Sequence, residues 1–186
     1  MKRGGRLARI LLIAACVLAG PATTTAEAQA GTAGNLEYAV KANYLVRFAA
    51  FVDWPDSAFG TAESPLVICV VGHDPFGAGL EQAAAAQTAH GRRLAIRRPN
   101  SPAALAGCHI AYVGAGATSA WSDQLNAQPV VLVVTDQASG PRGGAIQFVL
   151  VNNRVRFRID QGAAARSGLV ISSRLLNLAV SVEGRG

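Results

Sequence analysis

A mixed α/β domain is the fold this sequence predicts: a mostly parallel sheet flanked by helices on both faces, with a C-terminal antiparallel hairpin and a closing helix. Three observations predict it. Near-unbroken apolar runs at 65–72, 108–114 and 129–136 have the character of strands covered on both faces. Helix-compatible stretches separate those runs, the alternation of a parallel sheet with crossover helices. Two later runs, 145–151 and 154–159, are divided only by Asn152-Asn153, a pair that tolerates the positive backbone angles of a tight hairpin turn.

The chain opens with Lys2, Arg3, Arg6 and Arg9 ahead of a short apolar block at 10–19, too short to span a bilayer and suited to a signal-peptide core. Residues 1–30 are expected to be a cleaved leader, with small-residue sites after Ala28 or Ala30, leaving 31–186 as one secreted domain. Ile13-Ala14-Ala15-Cys16 also reads as a lipid-attachment box, on a shorter apolar stretch than such boxes usually follow. Losing the leader removes four bases and Glu27, so the formal charge falls from +6 to +3. The high pI is thus partly a property of the leader, and with secretion it argues against nucleic acid as a partner.

In the mature chain, Tyr38, Ala42, Leu45, Phe48, Ala49 and Val52 recur at three or four residues and predict an amphipathic helix, with Lys41 and Arg47 expected to point elsewhere. Trp54-Pro55 should end it, because the residue before proline avoids the helical region. A buried strand over 65–72 follows, and then Asp74-Pro75 reads as the cap and first position of a helix over 75–87. The stretch 91–98, polar at both ends, suits a sheet edge guarded by charge. A short helix over 102–106, a strand over 108–114, a helix over 119–127 and a strand over 129–136 complete the alternation. In the second hairpin strand Arg154, Arg156 and Arg158 share one face and Val155, Phe157 and Ile159 the other. The closing helix is expected over 163–182, with Gly168 as a possible interruption.

If Cys16 leaves with the leader, Cys69 and Cys108 remain, a pair in a secreted domain. Each falls in an expected strand of one sheet; if those strands are neighbours, the two are expected to form a disulfide, the alternative being two buried thiols. The strand carboxyl ends, where open parallel sheets bind ligands, supply His73, Asp74, Gly114 and Asp136 as candidate ligand residues. Asp74 reads as a helix cap before it reads as a catalytic acid, and His73 as a solvent-facing loop residue. Gly72 to Gly77 lacks the lysine of a phosphate loop, and Gly114-Ala115-Gly116 lacks a third glycine. His90 and His109 have no metal-ligand spacing, and His109 is expected to be a satisfied core residue. Ser172-Ser173 has no nucleophile-elbow pattern around it and should contact neighbouring backbone. No catalytic constellation, cofactor motif or metal site emerges. Phe51, Trp54 and Phe59 at the aromatic corner, with Arg154 and Arg156, are the candidate partner-binding residues; core packing is the ordinary alternative for the aromatics.

A set of motifs goes further. Tyr38, Lys41-Ala42, Tyr44-Leu45, Phe48, Phe51-Val52, Trp54-Pro55, Ile68-Cys69-Val70, Gly72, Asp74-Pro75-Phe76-Gly77, Gly91-Arg92, Cys108-His109-Ile110, Gly143-Gly144, Asn153-Arg154-Val155-Arg156-Phe157, Gly168-Leu169, Ser172-Ser173 and Leu175-Leu176 together resemble the YfiR family, in order and over nearly the whole mature chain. The resemblance implies a periplasmic protein that dimerises, carries a disulfide at Cys69 and Cys108, and restrains an inner-membrane diguanylate cyclase by binding its periplasmic sensor part. It also implies an outer-membrane lipoprotein as antagonist, and a rise in cyclic di-GMP and biofilm when the restraint is lost or redox-damaged. The chain departs from relatives with a second cysteine pair near the late hairpin. Arg158 and Asp160 stand where relatives carry an acid and an Asn.

Overall fold

The computed structural model describes residues 24–138, 140–141 and 143–184. The expected leader, with Cys16, falls largely outside them. Its first helix, α1 (Thr24–Phe48), is longer than the periodicity indicated. It leads through β1 (Val52–Asp53) and a single 3-10 turn (Asp56–Ala58) into β2 (Leu66–Val71). The helix therefore stops at Phe48, ahead of the Trp54-Pro55 break. Then come α2 (Ala78–Ala85), β3 (Thr88–Ala89), β4 (Arg92–Arg97), a second 3-10 turn (Pro102–Leu105) and β5 (Ile110–Val113). The chain continues through α3 (Ser119–Ala127), β6 (Leu132–Asp136), β7 (Ile146–Val151) and β8 (Arg154–Asp160). It closes with α4 (Gln161–Arg166), β9 (Val170–Ile171), α5 (Ser173–Leu176) and β10 (Ser181–Glu183).

Eight strands form one sheet in the order β10-β8-β7-β6-β5-β2-β4-β3, while β1 and β9 pair separately. Five contacts in the large sheet are parallel, and only β7/β8 and β3/β4 are antiparallel. One face carries Leu66, Ile68, Ile110, Tyr112, Leu132, Val134, Phe148 and Phe157 under α1, α2, α4 and α5. The opposite face carries Cys69, Val71, Ala111 and Val113 under the second 3-10 turn and α3. The predicted fold class is the observed one.

Three local expectations fail for identifiable reasons. No single closing helix spans 163–182: Gly168 takes φ +70°, so α4 ends at Arg166, and the chain is then drawn off as β9 onto β1 and as β10 onto β8. Asp74 does not cap a helix; its carboxylate accepts from the Phe76 N–H at 2.8 Å to close a turn, and α2 starts after Gly77. The 91–98 strand is not quite the edge, because β3 pairs with its first two residues.

The largest correction concerns Lys41. It does not point away from the core; it is fully buried, whereas Arg47 is exposed as expected. Lys41 lies three residues after Tyr38 and four before Leu45, so the periodicity itself puts it on the apolar face, and only its charge suggested otherwise.

Candidate functional site

The order of connections reverses between β2 and β5, the place where an open sheet of this kind usually leaves a ligand crevice. Here the two exit loops lie against each other. The His73 N–H donates to the Ala115 carbonyl at 2.7 Å. A Cβ on Gly114 would stand 2.4 Å from the His73 carbonyl oxygen, and one on Gly72 would stand 2.6 Å from that of Ala115. Glycine at both positions is what permits this approach. His73 faces solvent, and Asp74 is held by the Arg98 guanidinium at 2.7 Å, which also engages Glu81.

Asp136 lies deeper, at the carboxyl end of β6. Its Oδ2 accepts from Lys41 Nζ at 2.6 Å and from the Tyr112 hydroxyl at 3.3 Å, and its Oδ1 from the Ala138 N–H at 3.0 Å. Glu37, one turn back on α1, also takes the Lys41 ammonium, which sits 4.7 Å from the centre of the Tyr38 ring. Burial alone would push the Lys41 pKa down, but hydrogen bonds and charge from Asp136 and Glu37 outweigh it and hold it above the ordinary 10.5. The four sequence-predicted ligand residues thus separate into a backbone clasp (His73, Gly114), a surface ion pair (Asp74) and a buried ion pair that anchors α1 to the sheet (Asp136).

Cys69 and Cys108 form a disulfide, with Cα atoms 5.8 Å apart. Cys69 lies on β2, but Cys108 lies just ahead of β5 rather than within it, on the turn that follows the second 3-10 segment. Both are buried, and Arg97 Nη2 lies 3.2 Å from Cys108 Sγ while also donating to the Ala104 and Ala106 carbonyls. Sequence reasoning missed Arg97; as the last residue of a strand otherwise read as a charged edge, it carried no signal of its own.

The aromatic corner is assembled as packing. His109 Nδ1 accepts from the Val67 N–H at 3.0 Å, so Nε2 carries the proton and donates to the Ala58 carbonyl at 3.0 Å. Phe59 stacks on the His109 ring at 4.5 Å, with the Arg92 guanidinium 3.8 Å from the Phe59 centroid on the ring's face. Trp54 Nε1 donates to the Val130 carbonyl, clamping a β-branched residue at φ +59°, and the Val130 N–H donates to Ser167. Phe51, Trp54 and Phe59 are all half-buried.

Burial pushes the His109 pKa down, and Arg92 and Arg97 add to it against the Ala58 carbonyl. With the folded value below the ordinary 6.5, the unfolded chain binds the proton more readily. Stability is therefore full above about pH 6.5 and falls as the pH drops toward the folded value. Urea titrations of the wild type and His109→Gln across that interval are expected to show this slope in the wild type and its loss in the variant.

The face of β6 and β7 opposite α1 is less covered. The connection from β6 to β7 shows no helix among its described residues, and β7 enters only a short way back along β6, with Ile146 opposite Val134. A cavity of about 860 Å³ lies there, between α3, Val133 and Thr135 of β6, Gly143-Gly144 and the Arg166-Ser167 end of α4. Beside it, Arg154, Arg156 and Arg158 of β8 stand exposed on the same side, with no ion pair among the described residues.

A family model described as YfiR/HmsC-like matches residues 38–180, most of the chain. The chain belongs to that family. No curated protein matches the chain. Membership in the YfiR/HmsC-like family sets this protein among regulators rather than catalysts. Among the described residues no helix is long and apolar enough to cross a membrane.

Proposed function

We propose that this chain is a periplasmic regulator that restrains an inner-membrane diguanylate cyclase by binding its periplasmic sensor part, and so limits cyclic di-GMP and biofilm formation. Membership in the YfiR/HmsC-like family over residues 38–180 carries this reading. The closed strand-end crevice supports it, since the residues most exposed to chemistry by topology are occupied in holding the fold together. On this reading residues 1–30 are the cleaved leader, 31–186 act as one domain and as a homodimer, and an outer-membrane lipoprotein is the antagonist. The disulfide keeps the inhibitory surface folded. Deleting the gene is expected to raise cellular cyclic di-GMP, and restoring the wild type is expected to reverse it. An unchanged level would overturn the reading.

A second reading, a small-molecule-binding sensory module, is favoured by the cavity over β6, whose volume of about 860 Å³ falls within the range of ligand sites. It requires a melting temperature that rises with a periplasmic metabolite, since a ligand of the folded state alone stabilises it. The two readings are compatible if the ligand biases the inhibitory form.

A further inference from the structure

Register shows that the β7/β8 hairpin outgrows the sheet. Strand β6 pairs with β7 only as far as Phe148, and β10 pairs with β8 only from Arg158 onward. Beyond those points Val149↔Arg156, Leu150↔Val155 and Val151↔Arg154 pair with each other alone. The distal hairpin is therefore a two-stranded ribbon in its hydrogen bonding; Val149 is still buried, so the part that stands clear of its neighbours is Leu150, Val151 and the turn, about 7 Å at roughly 3.4 Å per residue. Leu150 and Val151 near its turn are 45% and 40% exposed, a placement that core packing does not require. Arg154 lies beside Val151 with Arg156 next in the row, both exposed and without ion pairs among the described residues, while Leu150 pairs with Val155 on the other face; Arg158 continues the row toward a small pocket that also holds Asp160 and Glu183.

We propose that this ribbon is the docking arm for an acidic, extended segment of the protein partner, one carrying carboxylates at alternate positions. The proposal rests on the regulatory reading above for the partner's identity, but not for the chemistry. Charge complementarity selects the occupant. Arginines two residues apart on one strand face repeat about every 7 Å, the same repeat as alternate side chains of an extended segment laid alongside. Guanidinium groups favour paired, planar contact with carboxylates. A second copy fits poorly, because pairing the open edges of β8 would set arginine against arginine. A lipid surface fits poorly too: the row runs along the ribbon rather than across its tip, so tip contact would bring only Arg154 to the headgroups.

The test uses the full mature chain, as wild type, Arg154→Glu/Arg156→Glu and Arg154→Lys/Arg156→Lys, with melting temperature and disulfide content confirming that each is folded. Two probes are used: a synthetic peptide of alternating Glu and Val, and the detergent-solubilised membrane cyclase. The wild type is expected to bind both, more weakly at high salt. The Glu variant is expected to lose about tenfold or more in affinity, with the Lys variant keeping most of it. A Glu variant that holds either probe like the wild type, or a wild type that ignores the acidic peptide, overturns the arm. Peptide binding without cyclase binding leaves the arm standing and overturns the cyclase reading. Binding of the wild type to phosphatidylglycerol vesicles in preference to the peptide would replace the protein partner with a membrane and overturn the proposal.

Discussion

Replacing Lys41 by Met is expected to destabilise the domain by about 3–5 kcal/mol, because it removes one partner of a buried ion pair and leaves Asp136 charged where water cannot reach it. The side chains of Lys41 and Asp136 are only 1% and 2% exposed, so solvent screening, which reduces surface pairs to small values, offers little relief here. The Tyr112 hydroxyl and the Ala138 N–H still reach the carboxylate, and they make the lower end of that range the better expectation. Lys41→Met combined with Asp136→Asn should recover part of the loss, since the second change removes the stranded charge. Urea unfolding of the two single variants and the double variant measures this coupling. Equal, small losses in every variant would show that the pair contributes nothing to holding α1. The sign with pH follows from the raised folded pKa. The ammonium's contribution is complete below about pH 10.5 and is lost as the pH climbs through the folded value. The wild type should therefore lose stability in alkali faster than Lys41→Met.

That pair also shows where sequence reasoning reaches its limit. Strand identity was legible because β2, β5 and β6 are buried on both faces and read as continuous apolar runs. The hairpin was legible because Asn152 and Asn153 adopt the positive φ values, 49° and 58°, that their side chains tolerate. The end of the chain was not, because its apolar residues, among them Leu169 ahead of β9 and Leu175 and Leu176 in α5, reach one core from separate short elements, and their presence in the sequence cannot distinguish these from one helix. Residue type misled at Lys41, where the spacing was right and the charge was read as exposure. His109 and Ser172 were legible in kind: the first is a satisfied core residue, and the second accepts from the Arg174 N–H as a local cap. Nothing in a single sequence marks where a ribbon outgrows its sheet, since that depends on how far β6 and β10 extend beside it.

Replacing Cys69 and Cys108 together by Ser is expected to lower stability by about 4 kcal/mol, on the chain-entropy cost of leaving a 39-residue separation unclosed in the unfolded state. For a domain of this size that is a large share of the net stability and corresponds to a fall of about 10 °C in melting temperature. The folded structure itself should change little. β2 and β5 pair in register from Ile68↔Ile110 to Val71↔Val113, so the sheet holds the two strands together whether or not the bond exists. On the proposed function, repression by the double variant should therefore fail in proportion to the fraction unfolded, returning when the cells are grown cool. Repression that stays lost in a variant shown to be folded would instead mean that the bond shapes the inhibitory surface directly. Kinetics separates the cases further. With both sulfurs buried under the second 3-10 turn and Arg97, a small thiol must wait for that segment to open, so native-state reduction should be slow and should accelerate in sub-denaturing urea. Fast reduction without denaturant would make the bond a switch rather than a staple.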